Sequence, residues 1–468
     1  TLDRAAGTLV GLAAGDALGA GYEFGPAPRG AVRMIGGGLG PWEPGEWTDD
    51  TQLSLCVAEI AATGALDPLA VGDRLLAWLH GHPKDVGIQT RSVLAASRSP
   101  EELTQRAHQH FEARPGSSAG NGSLMRTAPV ALAHLGNERA IASAARAVSE
   151  LTHADPLAGD ACVLWCIAID RAVREARLDG VRDGLALLDA DARARWTDWL
   201  DEAERLPPGV FAPNGYVVRA LQAAWASIVQ TPVPTVEPCR HLRDALEAAV
   251  RIGDDTDTVA AIAGALLGAQ WGSSAVPLEW RAMLHGWPGY DCRDLVRLGI
   301  LSATGGEADT AGWPSAADLV PSYRELYPGP AVSSVLADDP GISVGNVAAV
   351  ELHTADVVVS LCRMGAVPVA RDHHDVWLVD RDRPRDNPNL AFVLRDTADA
   401  LIDWRTAGHE IFVHCVEGRS RTPTVAAAYL IRRFGYSADE ALREARRALP
   451  RAQPNPGFVA ALQALTQR

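Results

Sequence analysis

Residues 411 to 422 read Ile411-Phe412-Val413-His414-Cys415-Val416-Glu417-Gly418-Arg419-Ser420-Arg421-Thr422. The apolar run predicts a buried strand, the polar run after Cys415 a tight loop, and Pro423 suits the first turn of a following helix. The spacing carries chemistry. The five residues between Cys415 and Arg421 can wrap their amides round a tetrahedral oxyanion, and Arg421 closes the ring with a planar fork of donors. Amides and a helix N-terminus favour a thiolate over a thiol, so Cys415 is the one cysteine here with a means of activation. Gly418, inside the loop, is a candidate ligand-binding position.

Working outward, the β-branched run Val357-Val358-Val359 joins Ile411-Phe412-Val413 as a second strand signal, and helical stretches run from Leu390 to Trp404 and from Thr422 to Phe434. Such alternation predicts an α/β layer fold over 336–468. Upstream, 306–335 is rich in Gly, Ala, Ser, Asp and Pro without sustained periodicity and is expected to be a linker. Residues 1–305 differ: apolar positions such as Leu53, Val57 and Ile60 recur at helical spacing, alanine is abundant, and strand signals are scarce. That half is expected to be all-helical. The 468 residues themselves make a multidomain chain the prior expectation.

Composition narrows the class. A net charge of −15 argues against a nucleic-acid scaffold, which needs an extended basic face. Lys84 is the only lysine, which restricts Schiff-base chemistry to that position. Seven cysteines without a Cys-x-x-Cys pair point to a reducing, cytoplasmic setting. The apolar stretch from Leu9 to Ala20 is interrupted by Asp16 and reads as a buried helix rather than a signal peptide. No run reaches the roughly 18 uncharged apolar residues that a membrane span requires.

Two acidic motifs stand far apart in the helical half: Thr48-Asp49-Asp50-Thr51 and Gly253-Asp254-Asp255-Thr256-Asp257-Thr258. Each precedes an apolar helix. Adjacent carboxylates repel unless they are solvated or share a cation, and hard Mg²⁺ prefers carboxylate, hydroxyl and water oxygens. One such motif alone reads as a helix cap. Two together can build a two-metal site.

These motifs, with Gly11-Leu12-Ala13-Ala14-Gly15-Asp16-Ala17-Leu18-Gly19, Tyr22-Glu23-Phe24, Gly120-Asn121-Gly122-Ser123-Leu124-Met125-Arg126 and Thr152-His153, resemble the ADP-ribosylglycohydrolase family in content and order. The resemblance covers nearly all of 1–305. It implies an all-α orthogonal bundle and two Mg²⁺ ions held by Thr48, Asp49, Asp50, Asp255, Asp257 and Thr258, with Asp254 a neighbour rather than a ligand. It implies that Glu23 lies on a mobile loop beside the metals, a candidate for proton transfer or gating. Gly120, Asn121, Gly122 and Ser123 are candidates for holding a pyrophosphate, since glycines let backbone amides approach an anion closely. His153 is a further candidate for ligand contact. The stretch Asp85-Val86-Gly87-Ile88-Gln89-Thr90 also looks family-like, without an assigned role.

The Cys-x5-Arg segment resembles the dual-specificity and tyrosine phosphatases, with the match spanning roughly 335 to 468. This implies attack of Cys415 on phosphorus, a phosphocysteine intermediate, Arg421 on the equatorial oxygens and Thr422 assisting thiolate departure. Relatives supply a general acid from an Asp about thirty residues upstream. Here Asp380, Asp382 and Asp386 compete, and Asp382 is the choice. The expected partners are an ADP-ribosylated protein or ADP-ribose-containing small molecule, and a phosphorylated protein or metabolite, with no nucleic acid and no membrane. Two alternatives stay open: one or both domains bind ADP-ribose or phospho-ligands without turnover, or both act on a phosphorylated ADP-ribose metabolite. Acceptor, phosphatase substrate and oligomeric state are not encoded in these motifs.

Overall fold

Glycines four residues apart decide how the N-terminal half packs. The opening helix Leu2–Gly19 and the helix Thr256–Trp271 are buried along almost their whole length. Gly7, Gly11 and Gly15 form one stripe of the first and meet Gly268, Gly264 and Ala260 of the second. A Cβ at Gly11 would overlap the Gly264 carbonyl oxygen, and one at Gly268 would overlap that of Gly7. The backbones therefore touch, and helices that are apolar all round lie this close only where side chains are missing. The crossing sets the last turn of the first helix, carrying Asp16, against the first turn of the second, carrying Asp257. A Cβ at Gly19 would already strike the Asp257 backbone. Gly264→Ala is expected to lower stability by about 2–3 kcal/mol, read as a lower urea midpoint at unchanged slope. An unchanged midpoint would mean that the two helices can part without penalty.

The structure is a computed structural model and describes residues 1–466. It divides into two compact units: one of Thr1–Pro234, Arg240–Val276 and Met283–Glu307, and one of Thr235–Cys239, Pro277–Ala282 and the chain from Ala308 onward. The first is a helical body, as its periodicity predicts; among the described residues its named strands are the short pair His285–Gly286 and Tyr290–Asp291. The helix Asp49–Ala61 starts where Thr48 caps it, and Asp155 caps the long buried helix Pro156–Glu175.

The second unit holds a five-stranded sheet with helices, the α/β class expected of it. Its spatial order is Ser333–Leu336, Asp339–Asn346, Ile411–Cys415, Val357–Ser360, Asp372–Asp375. The first pair is antiparallel and the rest parallel. Ile411–Cys415 is central and buried at every position, which is why it reads as an unbroken apolar run. The helices Leu390–Thr406 and Arg421–Phe434 match the two stretches read from periodicity. The stretch 306–335, expected as a linker, instead carries the helix Val320–Leu326 and the edge strand Ser333–Leu336. Val320 is buried with Val347, Val358, Cys362 and Phe412, so one short apolar anchor hidden among turn residues folds the segment onto the core. Among the described residues no helix is long and apolar enough to cross a membrane.

Candidate active sites

The first site forms where the helix crossing brings three helix ends together. Asp16 accepts from the Thr48 amide at 3.0 Å, the Thr51 amide at 3.0 Å and the Thr51 hydroxyl at 2.6 Å. It thereby takes up donors that the helix Asp49–Ala61 leaves unpaired at its start. The Thr48 and Thr258 hydroxyls both donate to Asp50 Oδ2 at 3.2 Å, so the two distant acidic motifs meet on one carboxylate. Oxygens of Asp16, Asp50 and Asp257 lie within 4.8 Å of one another, as do those of Glu23, Asp255 and Asp257. Asp255 is held by the Asn121 side-chain amide at 2.7 Å, and its own amide donates to Asn214 Oδ1 at 3.0 Å. Asp254 sits at φ +66° and accepts from the Asn214 amide, so it shapes the turn and stays out of the cluster.

So many carboxylates in so little water cannot all ionise easily. Burial pushes Asp16 up to about 6 against the hydrogen bonds from Thr51 and Thr48, and burial, then the charge of neighbouring acids, pushes Asp49 up to about 7 and Glu23 up to about 8. Burial also drives Asp50 and Asp257 well above the usual carboxylate range and raises Asp255. Asp85, on the segment to which no role was assigned, contributes to the repulsion felt by Asp49 and Glu23. Asp50 Oδ1 is buried without a hydrogen-bond partner. A buried carboxylate oxygen that no donor reaches, among five other carboxylates, is the environment that a hard divalent cation would relieve.

The Gly120 loop runs beside this cluster, pinned by Asn121 N donating to Gly215 O at 3.1 Å and Val217 N to Ala119 O at 2.9 Å. Gly122 is closely packed, since a Cβ there would lie 3.0 Å from His153 Cε1. His153 is buried, with Nδ1 at 2.7 Å from Thr152 Oγ1, and burial plus Arg126 holds it well below the usual histidine range. Gly120, Asn121, Gly122 and His153 are thus gathered beside the acidic cluster. Ser123 is not: its hydroxyl accepts from Ser149 Oγ at 2.9 Å inside the core. Asp16 is the member of the acidic cluster that sequence reasoning did not include. Its signal was a single charge in an otherwise apolar buried helix.

At the second site Cys415 ends the central strand and Arg421 opens the helix Arg421–Phe434. Gly418 takes φ +69°, and a Cβ there would lie 3.0 Å from Gly345 O, so the loop's curvature demands glycine. Arg421 Nη1 donates to Leu361 O at 2.6 Å, which steers the guanidinium, while Nε is buried without a partner. Thr422 Oγ1 donates to Gly345 O at 3.2 Å. Arg419 has its guanidinium near Gln453 and Glu417.

The acidic loop divides its labour. Asp380 accepts from Ser420 Oγ of the cradle at 2.6 Å and from Asn455 Nδ2 at 3.0 Å, which makes it a brace. Asp382 is exposed, has no hydrogen-bond partner among the described residues and lines a cleft of about 530 Å³ with Asp380, Arg381, Arg383 and Asn455. Asp386 is half-buried and not part of that lining.

A buried carboxylate cluster in a helical body, and a cysteine–arginine cradle at the C-terminal end of the sheet's central parallel strand, together define a hydrolase with two chemically distinct centres. Residues 1–308 match the ADP-ribosylglycohydrolase family and 354–468 the dual specificity phosphatase catalytic domain. The chain belongs to the ADP-ribosylglycohydrolase family and joins that hydrolase to a phosphatase of the dual-specificity type. It is 33% identical over 292 residues to ADP-ribosylarginine hydrolase Tri1 of Pseudomonas putida (strain GB-1), spanning 60% of this chain and 73% of that protein. It is 30% identical over 129 residues to dual specificity protein phosphatase 1 of Arabidopsis thaliana, spanning 27% of this chain and 65% of that one. A solved structure described as an ADP-ribosylglycohydrolase-related protein complex matches with a TM-score of 0.53 and 28% identity, covering 65% of this chain and 99% of that chain.

Proposed function

We propose that the N-terminal site cleaves the glycosidic bond between ADP-ribose and an acceptor, with two Mg²⁺ ions held by Thr48, Asp49, Asp50, Asp255, Asp257 and Thr258. The observation that carries this reading is the partnerless buried Asp50 Oδ1 within a set of all-oxygen donors. Bound Mg²⁺ would supply Lewis acidity at the ribose hydroxyls and water next to the anomeric carbon. The protein's own groups do the rest. Glu23, half-exposed and raised in the metal-free chain by burial and by the neighbouring acids, is the group assigned to pass a proton to the departing acceptor. Ionised carboxylates nearby favour the positive charge that builds on the sugar as the bond breaks. The Gly120–Gly122 backbone and His153 are assigned to the ADP-ribose moiety. Because one similar protein is an ADP-ribosylarginine hydrolase, arginine-linked ADP-ribose is the first acceptor to test. Mg²⁺-dependent release of free ADP-ribose from an ADP-ribosylarginine peptide is expected, abolished by chelation. Release at full rate in chelator would remove the metal from the reading.

At the second site Cys415 sulfur attacks phosphorus, a sulfur–phosphorus bond forms, and the ester oxygen leaves with a proton from Asp382. Water, losing a proton to the Asp382 carboxylate, then attacks phosphorus, the sulfur–phosphorus bond breaks and the sulfur departs as thiolate, steadied by the cradle amides and by Thr422 after it turns from Gly345 O. Arg421 and the Gly418 loop hold the non-bridging oxygens throughout. Asp382→Asn is expected to slow hydrolysis of an alkyl phosphate about 10²-fold. The same change should matter much less for p-nitrophenyl phosphate, whose leaving group hardly needs protonation. Equal losses on both esters would move the acid elsewhere on the loop, Asp380 being the next to test.

A further inference from the structure

Arg126 is 0% exposed, and no carboxylate acts on its charge. Its guanidinium is directed at neutral oxygens instead: Nη1 donates to Gly122 O at 3.3 Å, and Nη2 to Val148 O at 3.1 Å and to Thr152 Oγ1 at 2.7 Å. Burial brings its pKa down only to about 10, so it stays a cation at neutral pH. A cation in the core without an acid opposite is a costly arrangement. Two of its three acceptors belong to the Gly120 loop and to the residue before His153.

The proton positions follow from Arg126, which can only donate. Thr152 Oγ1 accepts from Nη2, and the same oxygen lies 2.7 Å from His153 Nδ1. The hydroxyl hydrogen has no other acceptor among the described residues, so it points to Nδ1, which offers its lone pair. A proton on Nδ1 would bring two donors onto one oxygen, strand the hydroxyl hydrogen where Thr152 is 0% exposed, and turn a ring N–H toward the oxygen that already faces the guanidinium. Burial and Arg126 keep the ring neutral, so its one hydrogen sits on Nε2. That nitrogen lies against the glycine loop. A Cβ on Gly120 would be 3.4 Å from it and one on Gly122 3.2 Å, and it makes no hydrogen bond within the described residues.

We propose that Arg126 and Thr152 are positioning residues of the first site: they hold His153 in the Nε2–H tautomer, so that the Gly120–Gly122 loop is backed by a hydrogen-bond donor for an anionic phosphate oxygen. The inference rests on the reading of this loop as the place of the ADP-ribose pyrophosphate. One buried cation acts twice. It draws the Gly122 carbonyl into the core, where that acceptor cannot repel an anion, and through Thr152 it supplies the ring N–H. Without the Thr152 hydroxyl, Nδ1 loses its donor. The proton is then free to move there, leaving a lone pair on Nε2.

The test is nitrogen NMR of the full chain labelled with ¹⁵N at histidine, the His153 ring identified by its loss in His153→Gln. Wild type is expected to carry the hydrogen on Nε2. Thr152→Val should shift the ring toward the Nδ1–H form and weaken calorimetric binding of ADP-ribose in Mg²⁺ about tenfold. Thr152→Ser, which keeps the hydroxyl, should restore both, a rescue that loss of packing alone would not give. Hydrogen on Nδ1 in the wild type overturns the proposal, and that spectrum needs no variant to fold. So does a folded Thr152→Val whose ring signature and affinity match wild type. The ring signature is read without ligand or turnover, so it is separable from the ADP-ribose reading, which fails instead if wild type with the Nε2 hydrogen in place binds no ADP-ribose.

Discussion

Cys415→Ser should reduce phosphomonoester hydrolysis by about 10⁴-fold or more, with Mg²⁺-dependent ADP-ribose release unchanged. The change keeps size and hydrogen bonding nearly constant, and the loss follows from chemistry. A serine hydroxyl is a far weaker acid than a thiol, and the groups of the cradle, backbone amides and the Arg421 guanidinium, are donors that cannot take its proton. None of the other six cysteines can substitute. Burial raises the thiols of Cys56 and Cys239 to about 12 and those of Cys162, Cys166 and Cys362 above their usual range. Cys292, half-buried at the start of the helix Cys292–Ala303, belongs to the other unit. Phosphate release from p-nitrophenyl phosphate checks this, and retention of more than about a hundredth of the activity would reassign the nucleophile.

Asp50→Asn should abolish ADP-ribose release, by about 10³-fold or more, and at the same time make the metal-free protein more stable. Both effects come from one carboxylate. It accepts from Thr48 and Thr258, bridges the two acidic motifs and leaves Oδ1 with no donor. With cations bound, that oxygen is an asset; in chelator it is a repulsive charge. The sign of the pH dependence follows. Asp16, Asp49 and Glu23 are raised to about 6, 7 and 8 in the folded chain, above the ordinary 3.8 to 4.5. The folded state therefore holds protons more tightly than the unfolded one across this window. Stability from these groups is present below the ordinary carboxylate range and is lost as pH rises toward 8. The wild type in EDTA is expected to melt about 5 °C or more lower at pH 8 than at pH 5, with Mg²⁺ recovering most of the difference. In Asp50→Asn the fall should be smaller and the Mg²⁺ effect nearly gone. A variant still stabilised by Mg²⁺ to the wild-type extent would place the cation elsewhere.

Much of the site was legible because its chemistry is written in local spacing. Five residues between Cys415 and Arg421 suffice to wrap an anion, and paired aspartates before an apolar helix need a cation or a cap wherever they fall. Asp16 was harder. Its neighbours at ±1 and ±2 are apolar or glycine, and its partners Thr48 and Thr51 are supplied by another helix. Ser123 shows the converse: it sits inside a glycine-rich motif, yet its side chain turns to Ser149 in the core. Asp382 was chosen over Asp380 and Asp386 from the sequence without a physical ground to separate them, because the difference is whether Ser420 and Asn455 reach the carboxylate. The helix Val320–Leu326 escaped notice since a single turn or two among Gly, Pro and Asp has no period to detect, and only burial of Val320 reveals why it forms.

The residues alone determined the two-part organisation, the helical and α/β classes, and the kinds of chemistry available, because periodicity, turn residues and short motifs act over a few positions. Convergence was left to tertiary structure. The glycine contacts between Leu2–Gly19 and Thr256–Trp271 bring Asp257 and Thr258 to Asp50, more than two hundred positions away, and parallel strand register sets Ser360 beside His414. Distances of this kind depend on how closely backbones approach, and that is a property of packed surfaces rather than of any one segment.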